Sequence, residues 1–414
     1  MKISIRPDVL RLTLPVLFEQ FFVHLLGTVN TIMASRLGKE AVSAIGMVDS
    51  INAVINALLS ALAIGATVVV AQSVGRGNRI RAGAGAWHAL AAGTLFAGVV
   101  ALLLIVARGP VLHLLYRGID AEVMAHMETY LGISALAFPL TALTVIGCGA
   151  LRGAGETAST MKVNTLINIL NVVFSYVLIY GVQLPLGPFQ LVVPAFGVAG
   201  AAAGLALARL GGVLYLARTL QFQHDVLPLG RARDWRFDAT LLRAVFAIGI
   251  PASLESLVFN GGKLAVQVFI VSMGTVAIAA NYIAFSISNL INIPGAALAV
   301  GLTTLVGHDA GRGDYTAARH TMWHVLRVSW VCMAVIGVLF IPLAPAVVGL
   351  YSPDPDVIDT GSLLVRMNCV FLICYPTTFV LPNGLKGAGD ATYTLITTII
   401  GMLLFRLLLA TCWA

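Results

Sequence analysis

Residues 38–78, GKEAVSAIGMVDSINAVINALLSALAIGATVVVAQSVGRGN, and residues 274–314, GTVAIAANYIAFSISNLINIPGAALAVGLTTLVGHDAGRGD, align without a gap at an offset of 236 and share 16 identities in 41 positions. Composition alone would give about four. Ala61-Leu62-Ala63 falls on Ala297-Leu298-Ala299, and Gly75-Arg76-Gly77 on Gly311-Arg312-Gly313. Toward the N-terminus the same offset sets Pro15 on Pro251 and Glu19 on Glu255. Toward the C-terminus Leu151-Arg152-Gly153-Ala154-Gly155 matches Leu385-Lys386-Gly387-Ala388-Gly389 at an offset of 234. The chain is a tandem duplication.

Of its 414 residues, 59% are apolar and 10% charged, against about 25% charged in soluble domains. With a mean hydropathy of +0.93, the excess apolar surface must face lipid, which excludes a water-soluble fold. Eleven apolar stretches of spanning length are centred near residues 23, 60, 97, 138, 171, 204, 257, 293, 332, 371 and 402; a crossing helix needs about 20 residues. The predicted fold is an all-α polytopic membrane protein with two six-helix lobes. Residues 1–220 form the N-terminal lobe (spans 1–6), 221–243 a cytoplasmic linker, and 244–414 the C-terminal lobe (spans 7–11). An even number of spans per half starts both halves from one side, giving a parallel repeat about an axis along the membrane normal. The partner of the sixth span would end near residue 454, past Ala414, so the twelfth helix is expected to be missing from this chain. Truncation, a frameshift and true absence all fit. The N-terminus runs directly into the first span without a short apolar region and cleavage site, so that helix is expected to stay.

The 25 Lys and Arg outnumber 18 Asp and Glu, yet basic runs interleaved with aromatics, as nucleic acid would need, are missing. The basic residues sort by loop instead: sixteen fall on the side of the N-terminus and the central loop, Lys386 among them, and four on the other. The positive-inside rule makes the N-terminus cytoplasmic. The five cysteines lie in apolar stretches without CxxC spacing, so no disulfide framework or metal site is implied. His320 and His324 have i, i+4 spacing but no third ligand. The glycine-rich loops follow membrane helices, not strands, and read as tight turns rather than nucleotide cradles. HExxH, GxSxG and paired catalytic aspartates are missing, so the chain does not read as an enzyme.

In their order and recurrence, Leu12-Thr13-Leu14-Pro15, Val29-Asn30-Thr31, Leu37-Gly38, the Gly75-Arg76-Gly77 loop, Leu151-Arg152-Gly153-Ala154-Gly155 and Gly197-Val198-Ala199-Gly200-Ala201-Ala202 make the chain similar to the multidrug and toxic compound extrusion (MATE) transporters. It most resembles their DinF-like bacterial branch. The resemblance implies a multi-pass protein of the bacterial inner membrane, acting as a monomer. It would export amphipathic, cationic small molecules in exchange for H⁺ or Na⁺, with no cofactor besides the coupling ion. A lipid-linked oligosaccharide flippase of the same superfamily is the alternative; that function needs a basic cavity, and this chain offers Lys263 against at least two acids. Two positions depart from the family pattern. Asn30 stands where the DinF-like branch has a buried Asp, and Tyr375 where the NorM-like branch has a carboxylate.

Coupling must then rest on the charges that are present. A charge deep in a span costs about 2.5 to 3.5 kcal/mol on insertion scales and so faces a bundle interior or wet cavity. Glu19 and Glu255, equivalent in the repeat, are the candidate ion-coupling residues; either could instead accept hydrogen bonds from backbone freed at Pro15 or Pro251. Asn30 lies eleven residues after Glu19, on the same helix face, where it could bind substrate or bridge helices. Lys263 could pair with Glu255, Glu19 or Asp49, or receive an anionic substrate group. Asp49, near the outer end of span two, and Tyr375 complete the candidate substrate-binding residues.

Overall fold

The computed structural model describes residues 7–116, 119–186, 189–222, 227–228, 238–272 and 275–402. Most of the expected linker, with Arg231, Arg233, Trp235 and Arg236, lies outside them, as do Lys2, Arg6, Arg117, Arg406 and Cys412.

In the first half the helices are α1 (Pro7–Ser35), α2 (Lys39–Gly75), α3 (Arg79–Leu115), α4 (Ala121–Leu136), α5 (Phe138–Gly153), α6 (Thr157–Tyr180) and α7 (Gly197–Phe222). In the second they are α8 (Ala239–Ser272), α9 (Thr275–Ile291), α10 (Ile293–Gly311), α11 (Tyr315–Gly349), α12 (Pro355–Phe371), α13 (Leu381–Ala388) and α14 (Ala391–Ile399). Among the described residues seven helices are long and apolar enough to cross a membrane, and the pairs α4–α5 and α9–α10, each bent by 47°, bring the crossings to nine. Of the remaining two sequence-predicted centres, the one near 23 lies in the 29-residue α1 and the one near 402 at the end of the shorter apolar helix Ala391–Met402.

The duplication is visible in the element bounds. Adding 236 to α2 gives 275–311, the span of α9 and α10 together. Where α2 is continuous, its counterpart breaks at Asn292, because Pro294 has no N–H for the carbonyl of Leu290. Between α12 and α13 the helix narrows to a 3₁₀ turn at Leu372–Cys374 and widens to a π segment at Pro376–Val380. Pro376 and Pro382 each remove a helical donor there. Pro345 in α11 likewise leaves the Ile341 carbonyl without its helical N–H. Arg366 Nε donates to that oxygen at 3.3 Å, which gives this arginine a backbone partner.

Four helices end alike. Gly77, Gly155, Gly313 and Gly389 have φ of 73°, 91°, 77° and 104°, a left-handed conformation suited to glycine. The next residue's N–H reaches back five positions, as in Asn78 to Ser73 at 3.0 Å and Asp390 to Leu385 at 3.0 Å. These are Schellman ends, so the glycine-rich loops are tight turns as predicted. A two-stranded antiparallel hairpin, β1 (Val182–Leu186) and β2 (Phe189–Val193), joins α6 to α7 with Val182 opposite Val193. It modifies the all-helical expectation; both strands are rich in Val and Leu, and a glycine-proline pair separates them.

The chain divides into two compact units, residues 22–70 with 79–246, and the N-terminus to residue 21 with 71–78 and 247 onward. The first half of α1 and the end of α2 thus group with second-half helices. Within the first unit, Ile55, Leu59, Leu62, Ala142 and Ile146 centre one core, and Val48, Leu112, Met127 and Leu131 another. Within the second, Ile287, Met333, Val348 and Val365 form one core, and Leu298, Leu302, Val325 and Val380 another. Val99, Leu102 and Leu103 on α3 are 50%, 63% and 62% exposed, and their repeat equivalents Val335, Val338 and Leu339 on α11 are 62%, 71% and 57% exposed. Matching apolar stripes of this kind are lipid-facing surface.

At the end of α2, a Cβ on Gly75 would collide with the carbonyl oxygen of His308 in α10, and a Cβ on Gly311 would collide with that of Gln72. His308 is the repeat equivalent of Gln72. The two helix ends therefore cross in a reciprocal contact that glycine alone permits.

Candidate transport cavities

The first unit encloses a cavity of about 330 Å³ between α1, α2, α4, α6 and α7, into which Asn30, Asp49, Tyr130, Asn171 and Ser175 project. Asp49 Oδ1 accepts from Asn52 Nδ2 at 3.2 Å and from the Tyr130 hydroxyl at 3.3 Å. Arg209 of α7 donates to Thr141 Oγ1 and lies within electrostatic reach of Asp49. Among the described residues, neither Asn30 Oδ1 nor Asn171 Oδ1 has a hydrogen-bond partner, although both are buried. Leaving an acceptor buried and unmade costs about 1–3 kcal/mol. Two such oxygens beside a carboxylate form an acceptor set suited to a cation. Asn30 and Asp49, predicted separately, are brought together; Asn171 was not anticipated. It sits on the face of α6 shared with Ser175, four residues on, a spacing readable in the sequence.

The second unit holds a larger cavity, about 700 Å³, walled by Glu255, Phe259 and Asn260 of α8, Asn383 and Lys386 of α13, and Tyr393, Thr394 and Thr397 of α14. Glu255 Oε1 accepts from Lys386 Nζ at 2.9 Å, and Oε2 from Thr394 Oγ1 at 2.8 Å. Asn260 Nδ2 donates to Ser256 O at 2.8 Å and Asn383 Nδ2 to Phe379 O at 2.7 Å, each four residues back along the chain. The rings of Phe259 and Phe379 meet edge to face at 5.5 Å.

The partner of Glu255 is therefore Lys386, not Lys263. Counted from the sequence as a loop charge, Lys386 is in fact 7% exposed. Lys263 Nζ instead lies over the rings of Phe259 and Phe285, 4.6 Å and 5.0 Å from their centroids, a cation–π arrangement. Glu19 is buried in α1, 4% exposed, one turn past Pro15. Tyr375 stacks on Phe379 at 4.7 Å and packs with the α9–α12 core. Among the described residues, Glu19, Lys263 and Tyr375 are not in the lining of either cavity. No group of three or more His, Cys, Asp or Glu that could hold a metal ion occurs among the described residues.

Two duplicated helical halves, each with a polar cavity among membrane-crossing helices, have the form of a membrane transporter. Residues 15–177 and 251–411 match the MatE family, and the chain belongs to that family of membrane transporters, which are not enzymes. It is 25% identical over 414 residues to a probable multidrug resistance protein NorM of Thermotoga maritima, covering 98% of this chain and 84% of that protein. It is 27% identical over 392 residues to the uncharacterized transporter YisQ of Bacillus subtilis, covering 94% and 84%. Its fold is similar to that of an outward-facing multidrug resistance MATE transporter of the MOP superfamily, with a TM-score of 0.87 at 22% identity over 98% of this chain and 87% of the other. The relatives carry NorM and YisQ names, so membership stands at the level of the family rather than of its DinF-like branch.

Proposed function

We propose that the protein is a secondary active antiporter of the bacterial inner membrane, a monomer with a cytoplasmic N-terminus, that exports amphipathic cationic small molecules in exchange for H⁺ or Na⁺ by alternating access. The observation that carries this reading is the acceptor set of the first-unit cavity. Asp49 and the two unsatisfied oxygens of Asn30 and Asn171 are acceptors that would stabilise a cation. Glu255 is the exchange site for the coupling ion and Glu19 its counterpart in the first half. Asn30 and Asp49 bind substrate in the first-unit cavity. The driving force is adequate: about 2.3 kcal/mol per charge per 100 mV and about 1.4 kcal/mol per pH unit. The names of relatives, multidrug resistance protein among them, support efflux over lipid flipping.

The test is efflux of a cationic dye from energised vesicles, with sodium and pH gradients imposed separately. Efflux driven by one gradient and lost on its collapse is the expected result. A dye distribution indifferent to both gradients would remove the antiport reading.

A further inference from the structure

Both oxygens of the Glu255 carboxylate are taken, one by α13 through Lys386 at 2.9 Å and one by α14 through Thr394 at 2.8 Å. The pair stands at the wall of a cavity whose remaining polar groups are neutral amides and hydroxyls. A cation arriving at Glu255 thus meets a carboxylate that already holds one. Two positive charges on one carboxylate repel strongly where water is scarce, and an ammonium deprived of its anion is unstable there.

We propose that Lys386 is the resident counter-cation of the coupling site, displaced into the cavity when the coupling ion binds at Glu255 and restored when that ion leaves. The proposal rests on Glu255 being the exchange site. With a proton as coupling ion, the proton adds to Oε1, the N–H···O bond opens, and the ammonium keeps its own three protons. With sodium, the metal ion takes the lone pairs that the ammonium vacates. Asn383, three residues before Lys386 on the same helix, and Asn260 across the cavity supply carbonyl oxygens to receive the ammonium. Displacement unties α13 from α8, so ion binding becomes a change in helix contacts. Other ionisable groups near Glu255 are few. Tyr393 of α14 shares the cavity, Lys263 of α8 is two turns away over two aromatic rings, and α10 behind α13 carries His308 and Asp309. Asp309 accepts from Thr321 and pairs with Arg312 at 3.8 Å.

The experiment uses the purified full chain in proteoliposomes, with ethidium as probe, comparing E255Q, K386Q, K386R and E255Q/K386Q. K386Q is expected to lose gradient-driven efflux at least ten-fold while still equilibrating ethidium downhill, with a pH profile different from that of wild type. K386R should restore driven efflux to within about three-fold, since the first half carries Arg152 at the equivalent position. The double variant should equilibrate ethidium with no pH dependence. If E255Q abolishes driven efflux while K386Q keeps the wild-type rate and pH profile, the counter-cation role falls and the exchange site stands; if E255Q itself transports fully against the gradient, the exchange site falls. A second measurement needs no Lys386 variant. An amine-reactive ester should modify Lys386 several-fold faster in E255Q than in wild type, read by mass spectrometry, and equal rates would overturn the displacement.

Discussion

Thr67 and Thr303, 236 positions apart, make the same pair of bonds. The Thr67 hydroxyl bridges Ala63 O and Gly149 O, both at 2.8 Å, and that of Thr303 bridges Ala299 O at 3.2 Å and Asn383 O at 3.0 Å. Each threonine thereby staples its own helix to the one carrying the Leu-Arg/Lys-Gly motif. That motif's glycine sits against the same residue: a Cβ on Gly153 would strike Thr67 O, and one on Gly387 would strike Thr303 O.

Gly153→Ala and Gly387→Ala should each destabilise by about 1–3 kcal/mol, the usual cost of overpacking a tight contact. Thr67→Val and Thr303→Val should cost less, about 0.6 kcal/mol, as for hydrogen bonds between membrane helices. Thermal unfolding in detergent would measure both. A threonine variant more damaging than its glycine partner would mean that the staple, not the close approach, holds the helices.

Arg366 and Pro345 should be coupled. Arg366→Ala is expected to cost about 0.5–1.5 kcal/mol by stranding the Ile341 carbonyl. In a Pro345→Ala background, where residue 345 regains an N–H for that carbonyl, the cost should shrink. A double-mutant cycle on melting measures the difference, and strict additivity would contradict the relationship.

In the first-unit cavity, Asp49→Asn should weaken binding of a cationic dye at least ten-fold, a loss of about 1.4 kcal/mol or more, while keeping an oxygen to accept from Asn52 and Tyr130. Asn171→Ala should weaken it less, because one acceptor of the set is lost and the carboxylate stays. Equilibrium dye binding to purified protein checks the order. Equal affinity in all three proteins would assign the dye elsewhere.

At the start of α8, outside the spans, Asp238 Oδ1 accepts from Thr240 Oγ1 at 2.6 Å and Thr240 N at 2.8 Å. These bonds hold its carboxyl below the ordinary value of 3.8. A carboxyl depressed in the folded state contributes stability present above its unfolded value and lost as pH falls through the folded one. The melting difference between wild type and Asp238→Ala should therefore be present at neutral pH and fade below about pH 3.8. A difference that persists unchanged well below that pH would point to the backbone rather than the charge.

The repeat made the helix boundaries legible because an ungapped duplication must reproduce them, down to 39–75 returning as 275–311. Proline marked the breaks, since its missing N–H acts locally. Lys386 was misplaced because its position in the chain, at the last turn of α13, suggests a loop. A helical side chain leans toward its helix N-terminus, so a long one at that turn points back into the bundle and reaches Glu255. The signal was nonetheless present: each half carries one glutamate within its first span and one basic residue in the same motif. The grouping of Asn30, Asp49 and Asn171 needed three dimensions, because helices distant in sequence supply them and no spacing rule connects α1, α2 and α6.

The crossing of Gly75 on His308 and Gly311 on Gln72 has a consequence for the origin of the molecule. A contact in which residue i meets j while the counterpart of i meets the counterpart of j is isologous, the kind that closes a two-fold dimer. This surface is its own complement. An ancestral half-length chain could have met a second copy of itself through the same helix ends, with fusion of the two genes coming after the assembly rather than creating it.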